Sequence, residues 1–240
     1  MHTDQTKIAL IPAYNPVRKM LDVLRELTAC GFFTVLVDDG SDEPYQKLFD
    51  AAEKADVILR HKQNLGKGMA IKTGLGWICD NIRTSCTVVT VDADGQHRID
   101  DIRKVAAVAE KHPSALIIGS RKLGKGVPFR SRSGNFFTRT ILHALTPVTV
   151  YDTQSGLRAF SRDLVPLLAQ IEGERYEYEM RVLIELTERQ IPIFEARIAA
   201  VYIGANNTSH FKTVSDAKRV YQVIFQSAGI QRKSRNPKSG

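Results

Sequence analysis

The sequence of 240 residues is poor in cysteine, with only Cys30, Cys79 and Cys86, an odd and scattered set. It forms neither a disulfide framework nor a metal spacing and reads as reduced thiols of a cytosolic protein. No apolar run approaches the roughly 20 residues that a membrane-spanning helix needs. Residues Met1–Lys7 carry no apolar core, which argues against a signal peptide. Common site signatures are missing too. Gly66-Lys67-Gly68 lacks the P-loop spacing, and Gly74 and Gly76 fall inside a helical stretch, so no dinucleotide fingerprint follows the first strand. Neither a Gly-x-Ser-x-Gly elbow nor a paired Cys/His zinc spacing occurs. What is present is average globular composition, 43% hydrophobic and 25% charged with 16 Gly and 9 Pro, which excludes collagen-like, wholly disordered and coiled-coil chains. The length suits one domain of ordinary size or a single large α/β unit.

Acidic residues are the minority charge, 26 against 34 Lys and Arg, for a net charge of +8. Such a balance points to a polyanionic partner: nucleic acid, an anionic membrane surface or a phosphorylated substrate. The stretch Gly119–Arg139 holds Arg121, Lys122, Lys125, Arg130, Arg132 and Arg139 and no acid at all. It reads as a phosphate-handling loop. From Phe211 onward, Lys212, Lys218, Arg219, Arg232, Lys233, Arg235 and Lys238 face only Asp216, and residues 229–240 read as a flexible basic tail. A nucleic-acid-binding module would interleave aromatics with these basics on one face. Only Phe129–Arg139 does so, which ranks that reading far below an enzyme and leaves nucleic acid off the expected partners.

Short apolar runs alternate with amphipathic stretches through the first half. Strands are expected at Lys7–Ile11, Phe32–Val37, Asp56–Arg60, Thr87–Val91 and Ala115–Gly119, with helices at Pro16–Cys30, Ser41–Lys54, Gly66–Ile82 and Asp100–Lys111 between them. Strands apolar on both faces and alternating with helices predict a mostly parallel α/β sheet covered by helices on both sides. After Ser120 the rhythm breaks. A loop is expected over Lys122–Gly134, helices over Asn135–Leu145, Glu174–Gln190 and Val214–Ala228, an irregular segment ending in a strand over Tyr151–Phe160, and a strand over Ile193–Tyr202. The organisation expected is one domain over 1–228, with a half of about 1–120 and an acceptor-binding half of 121–228, followed by the tail.

Ligands of open α/β sheets bind beyond the carboxyl ends of the strands. Three strands run there into polar clusters: Pro12-Ala13-Tyr14-Asn15, Asp38-Asp39-Gly40-Ser41-Asp42, and Asp92-Ala93-Asp94-Gly95-Gln96-His97. Turn and cap chemistry accounts for any one of them, and Ser41 or Asp42 is expected to cap the next helix. Three on one edge point to a site. Asp92 and Asp94 lie two apart and can project to the same side, where paired carboxylates call for a positive charge. A hard Mg²⁺ or Mn²⁺ shared with substrate phosphates suits them, with Gln96 able to add a carbonyl oxygen. His97 is expected to hydrogen-bond as a neutral ring or lie exposed rather than to ligate.

Together these residues resemble the family 2 glycosyltransferases of GT-A fold. The matching marks are Ile11-Pro12-Ala13-Tyr14-Asn15, Val37-Asp38-Asp39-Gly40-Ser41-Asp42, Asn64-Leu65-Gly66-Lys67-Gly68 and Asp92-Ala93-Asp94. The match is to the dolichyl-phosphate mannose synthase-like branch, which makes polyprenyl-phosphate sugars. That pattern continues in Gly119-Ser120-Arg121, Asp152-Thr153-Gln154-Ser155-Gly156-Leu157-Arg158 and Asn206-Asn207-Thr208-Ser209-His210-Phe211. The resemblance covers about residues 7 to 220. It departs at Pro16, where many members carry Glu after the Tyr-Asn pair, and the C-terminal membrane helices of many relatives have no counterpart.

The resemblance implies that Pro12, Ala13, Tyr14, Asn15, Asp39, Asn64, Gly66, Lys67, Asp92 and Ala93 hold the nucleotide sugar and that Asp94 and Gln96 hold Mg²⁺ or Mn²⁺ on its diphosphate. Arg121 would neutralise the phosphates. Arg130, Arg132, Ser155, Arg158, Ser209 and Lys212 would face the acceptor phosphate. With Arg121, Asp152 and Glu179 are the candidate catalytic residues: acceptor-side carboxylates, each able to take a proton or to orient Arg158 or an acceptor group, and for Glu179 a salt bridge to Arg175 is an equal reading. The implied reaction is inverting transfer of a hexose from UDP-glucose or GDP-mannose to polyprenyl phosphate. A different acceptor, or a binder without turnover, are the other readings. A chain without a span would work as a peripheral protein at the cytoplasmic face, docked on a membrane partner or on anionic lipid through its basic residues and the apolar stripe Val214, Ala217, Val220, Tyr221, Ile224 and Phe225.

Overall fold

The computed structural model describes residues 6–121 and 150–199. Strand β1 (Thr6–Ala13) is the centre of its first half because Ile8, Ala9, Leu10 and Ile11 are apolar toward both faces and all are fully buried. It is flanked by β2 (Phe32–Asp38) and β4 (Cys86–Thr90), and β3 (Val57–Arg60) pairs outside β2. The second half adds β5 (Leu116–Arg121), β6 (Arg158–Ser161) and β7 (Ile193–Ile198) to give a seven-stranded sheet of order β3-β2-β1-β4-β6-β5-β7. Six strands point the same way. Only β6 opposes its neighbours, inserted between β4 and β5 with Thr90 opposite Arg158. The expected α/β architecture is therefore found, with one reversed strand that alternation alone does not reveal.

Helices α1 (Lys19–Ala29) and α4 (Ile99–Lys111) cover one face through stripes at helical spacing: Met20, Val23, Leu24 and Leu27 on the first, Ile102, Val105, Ala106 and Ala109 on the second. The other face is covered by α3 (Lys67–Asn81), α5 (Val165–Gln170) and α6 (Glu177–Glu188), whose Ile71, Leu75, Leu168, Leu183 and Leu186 share a core with Ile8, Leu10 and Val88. The short helix α2 (Glu43–Asp50) contributes Phe49. Nothing in the sequence pattern anticipates α5.

Several boundaries differ from expectation for local reasons. Helix α1 starts at Lys19 rather than Pro16, because Asn15 takes a left-handed φ of 47° and the next residues complete that turn. Helix α2 stops at Asp50 rather than Lys54, because the Lys54 carbonyl instead accepts the hydroxyls of Thr28 and Thr34. Neither Ser41 nor Asp42 caps α2 with its side chain; both are turned toward Asn15. Helix α6 begins at Glu177 rather than Glu174, since the Glu174 and Arg175 amides are held by the Glu177 carboxylate. The expected loop 122–134, helix 135–145 and helix 214–228 lie outside the described residues, as does the tail. Among the described residues no helix is long and apolar enough to cross a membrane.

One turn fixes how β2 meets the loop after β3. Gly40 sits at φ 69°, and a Cβ there would lie 2.1 Å from the backbone carbonyl carbon of Gln63. Gly31 has a similar φ of 76° with nothing within 4 Å of its missing Cβ. Gly31→Ala should therefore cost about 1 kcal/mol from backbone strain alone. Gly40→Ala should cost about 3 kcal/mol, because overpacking against an immobile backbone adds to that strain. Urea denaturation followed by circular dichroism measures both; equal losses would remove the contact with Gln63 as the cause.

Candidate active site

Because β1, β2, β4 and β5 are parallel, their carboxyl ends place Tyr14, Asp39, Val91 and Arg121 on one edge. Reversed β6 starts from that edge, so the segment before Arg158 returns to it. The clusters singled out in the sequence converge there, bound to one another.

The first two clusters form a clasp. Ser41 Oγ accepts the Asn15 amide at 2.9 Å, Asn15 Nδ2 donates to Asp42 Oδ2 at 2.7 Å, and the Asp42 amide donates to Asn15 Oδ1 at 2.8 Å. Asp38 is also committed internally, accepting the Ser41 amide and Gln46 Nε2. Asp39 is 2% exposed. Its Oδ1 accepts the Leu65 amide and the His61 ring, and its Oδ2 accepts the Gly66 amide at 2.8 Å. It thus joins the Val37–Asp42 motif to the Asn64–Gly68 motif. Pro12 and Ala13 are buried at the end of β1, with Tyr14 half-buried beyond them.

The second motif opens α3. Gly66 (φ 106°) presses against the loop at Glu174, whose carbonyl also accepts the Met69 amide. Asn64 Oδ1 accepts a bond from Arg175 Nη1, so Arg175 is directed to this loop and not to Glu179. Lys67 reaches inward, its Nζ 2.8 Å from Asp92 Oδ1 and 3.1 Å from Glu179 Oε1, with the Tyr176 ring 5.9 Å away. Burial disfavours its charge, but the two carboxylates outweigh that and drive the Lys67 pKa up. Asp92 moves reciprocally: burial opposes its ionisation, and Lys67 and His97 hold it well below the usual carboxylate range. His97 is buried and its Nε2 lies 3.2 Å from Asp92 Oδ2, the hydrogen-bonding role expected of it.

Asp94 differs. Burial and the neighbouring Asp92 raise its pKa, and its Oδ1 accepts the Gln96 amide, its one hydrogen bond among the described residues. Gly156 comes so close to this cluster that a Cβ would lie 2.5 Å from Asp92 Oδ2 and 2.8 Å from Lys67 Nζ. Thr90 Oγ1 donates to the Gly156 carbonyl and keeps that backbone in place. Ser155 is buried and its hydroxyl has no hydrogen-bond partner among the described residues.

Asp152 and Arg121 form a second, separate pair. Asp152 is fully buried and accepts the Arg121 amide at 3.2 Å, Nε at 2.7 Å and Nη2 at 3.2 Å. Glu195 Oε1 on β7 in turn accepts the Tyr151 and Asp152 amides, each at 3.0 Å. Arg158 is oriented by neither Asp152 nor Glu179 through their side chains. Its buried guanidinium donates to the carbonyls of Glu179, Ser155 and Thr153. It props the segment that carries Gly156.

The described residues thus bring Asn64, Gly66, Lys67, Asp92, Ala93, Asp94, Gln96 and Glu179 into one region, with Arg121 and Asp152 on the same edge. Arg130, Arg132, Ser209 and Lys212 lie outside the described residues. Sequence reading missed His61, Thr73 and Glu195. For His61 a signal existed, since it directly follows β3 at the carboxyl edge; Glu195, in an edge strand, offers none.

Comparison with known proteins bears on this geometry. A family model described as glycosyl transferase family 2 matches residues 8–166. The UDP-N-acetylglucosamine–dolichyl-phosphate N-acetylglucosaminyltransferase of Methanococcus voltae is 31% identical over 247 residues, covering 94% of this chain and 98% of its own. The dolichyl-phosphate beta-glucosyltransferase of Dictyostelium discoideum is 24% identical, covering 90% of this chain and 73% of its own. Among solved structures, glucosyl-3-phosphoglycerate synthase of Mycobacterium tuberculosis, in complex with Mn²⁺, UDP-glucose and phosphoglyceric acid, superposes with a TM-score of 0.73 at 20% identity, covering 94% of this chain and 80% of that one. The seven-stranded sheet is accordingly a GT-A fold, and the chain belongs to glycosyl transferase family 2, resembling its polyprenyl-phosphate sugar synthases.

Proposed function

We propose that this glycosyltransferase is a metal-dependent, inverting enzyme that moves a hexose from a nucleotide-diphosphate sugar to polyprenyl phosphate. The observation that carries the reading is the Asp92–Lys67–Glu179 cluster beside Asp94, a carboxyl group that makes no ion pair among the described residues. Relatives named as dolichyl-phosphate and undecaprenyl-phosphate transferases support the acceptor.

The donor set fits a hard divalent cation. Asp92 is compensated by Lys67 and His97, whereas burial and the neighbouring Asp92 charge raise the proton affinity of Asp94. Among the described residues no three His, Cys, Asp or Glu side chains form a metal site on their own. A hard cation can be held by one or two carboxylates together with substrate phosphates. Asp94 and Gln96 would hold Mg²⁺ or Mn²⁺, which supplies charge neutralisation to the diphosphate.

The chain's own residues do the rest. Pro12, Ala13, Tyr14, Asn15 and Asp39 wall the base and ribose, and Asn64, Gly66, Asp92 and Ala93 line the way to the diphosphate. Lys67 stabilises the negative charge that develops there. In the transfer, an acceptor phosphate oxygen bonds to the anomeric carbon while that carbon's bond to the donor's phosphate oxygen breaks, the electron pair leaving with the nucleoside diphosphate. A phosphate monoester with a second pKa of about 6 is already ionised at neutral pH, so no proton has to be removed. Asp152 then serves to orient Arg121 toward a phosphate, and Glu179 to place Lys67. Ser155 and Arg158 shape the acceptor side with Arg130, Arg132, Ser209 and Lys212. Basic residues bring the protein to the anionic cytoplasmic membrane surface, where the acceptor resides.

Incubation with UDP-glucose, UDP-N-acetylglucosamine or GDP-mannose, Mn²⁺ or Mg²⁺ and undecaprenyl phosphate should yield a glycolipid from at least one donor. No product from any of them would refute the acceptor. Asp94→Asn is nearly isosteric and should cut transfer at least about 100-fold, as loss of a preorganised charge-stabilising group does, and abolish Mn²⁺-dependent nucleotide binding with the fold intact. Full activity in that variant, or in EDTA, would sink the metal assignment. Asp152→Asn should lower kcat while leaving the pH–rate profile of the remaining activity unshifted. Disappearance of an acidic limb from the profile would make Asp152 a base instead.

A further inference from the structure

Both nitrogens of the His61 imidazole are engaged, one with the Asp39 carboxylate and the other with a hydroxyl on α3. Nδ1 lies 2.8 Å from Asp39 Oδ1 and Nε2 lies 2.9 Å from Thr73 Oγ1, with the side chain 8% exposed. A carboxylate can only accept, so Nδ1 carries the hydrogen, and in the neutral ring Nε2 accepts from the threonine hydroxyl. The backbone takes part as well, the His61 amide donating to the Asp38 carbonyl at 2.8 Å. The chain of bonds therefore joins the end of β2, the residue after β3 and the second turn of α3.

We propose that His61 is a positioning residue for donor binding: it fixes the Asp39 carboxylate so that the Asn64–Gly68 loop keeps the shape that delivers Lys67 to Asp92. Asp39 Oδ1 is shared between His61 and the Leu65 amide, while Oδ2 takes the Gly66 amide. Those two amides set the entry of the chain into α3, one residue before Lys67. Without the imidazole the carboxylate loses its only side-chain donor among the described residues and is free to turn, and the loop loses its anchor. Thr73 completes the arrangement by holding the ring from the helix that carries Lys67. The inference rests on the reading that this loop faces the nucleotide donor.

The test compares the full-length wild type with His61→Leu, His61→Asn and Thr73→Val. Hydrogen exchange at Leu65 and Gly66 should accelerate about tenfold in His61→Leu, the scale of a lost hydrogen bond to a charged group, with the amides of Ile8–Ile11 unchanged. Calorimetry with UDP and GDP in Mn²⁺ should show weaker binding of whichever nucleotide the wild type takes. Donor KM should rise by about the same factor as exchange, and kcat should fall as well, since Lys67 acts on the charge that develops in the transfer. His61→Asn keeps an N–H directed at Asp39 and should recover most of the affinity; Thr73→Val should fall between wild type and His61→Leu. A wild type that binds neither nucleotide overturns the donor reading. A wild type that binds one, together with a His61→Leu variant of equal affinity or unaltered exchange at Leu65 and Gly66, overturns the inference. Equal acceleration across β1 overturns it too, since His61 would then only stabilise the fold.

Discussion

The ammonium of Lys67 is the interaction on which the site depends. It stands between Asp92 at the end of β4 and Glu179 in α6, joining the regular first half of the chain to its irregular second half. Removing one partner from such a partly buried set leaves a charge uncompensated by its nearest neighbour, which costs more than the intact set contributes. The surrounding sequence is shaped to let the ammonium in. Gly66 and Gly68 allow the start of α3 to lie against the backbone at Glu174 and Arg175, and Gly156 leaves room directly beside the ion pair.

This arrangement treats two neighbouring carboxylates in opposite ways. Asp92 is satisfied from within by Lys67 and His97 and stays ionised, while Asp94 sits in similar burial with a single backbone donor and a raised proton affinity. Paired titratable groups pushed apart by their surroundings mark division of labour in active sites. Here one carboxylate organises protein, and the other keeps one backbone hydrogen bond among the described residues. Asp38 and Asp39 show no such division: both are bonded to the chain itself, Asp38 to the Ser41 amide and Asp39 to the Leu65 and Gly66 amides.

The fold was largely legible because its signal is periodic: strands such as Lys7–Ile11 are apolar on both faces, and α1 and α4 carry clear stripes. Reversal of β6 was not legible, since Arg158–Ser161 looks like any short buried strand and direction is a property of the whole sheet. For the site, residue types at strand ends revealed where the chemistry lies but not who bonds to whom. Ser41 and Asp42 have the composition of helix caps, yet Asn15 claims both across 26 and 27 residues of chain. Glu179 has Arg175 one turn away, yet it meets Lys67, 112 residues distant. Local spacing prices the near partner, while tertiary packing supplies a better desolvated one. Arg158 shows the limit from the other side, a charge buried on three carbonyls in a motif that reads as phosphate recognition.

The Arg121–Asp152 pair also has a topological meaning. It fastens the end of β5 to the turn that leads into β6, and Glu195 on β7 holds that turn by two of its backbone amides. Strands β5, β6 and β7 are thereby tied to one another at the carboxyl edge by side chains as well as by their backbone ladders. That edge cannot splay without breaking bonds to a carboxylate buried out of reach of water, so the least regular part of the sheet is braced where the site lies.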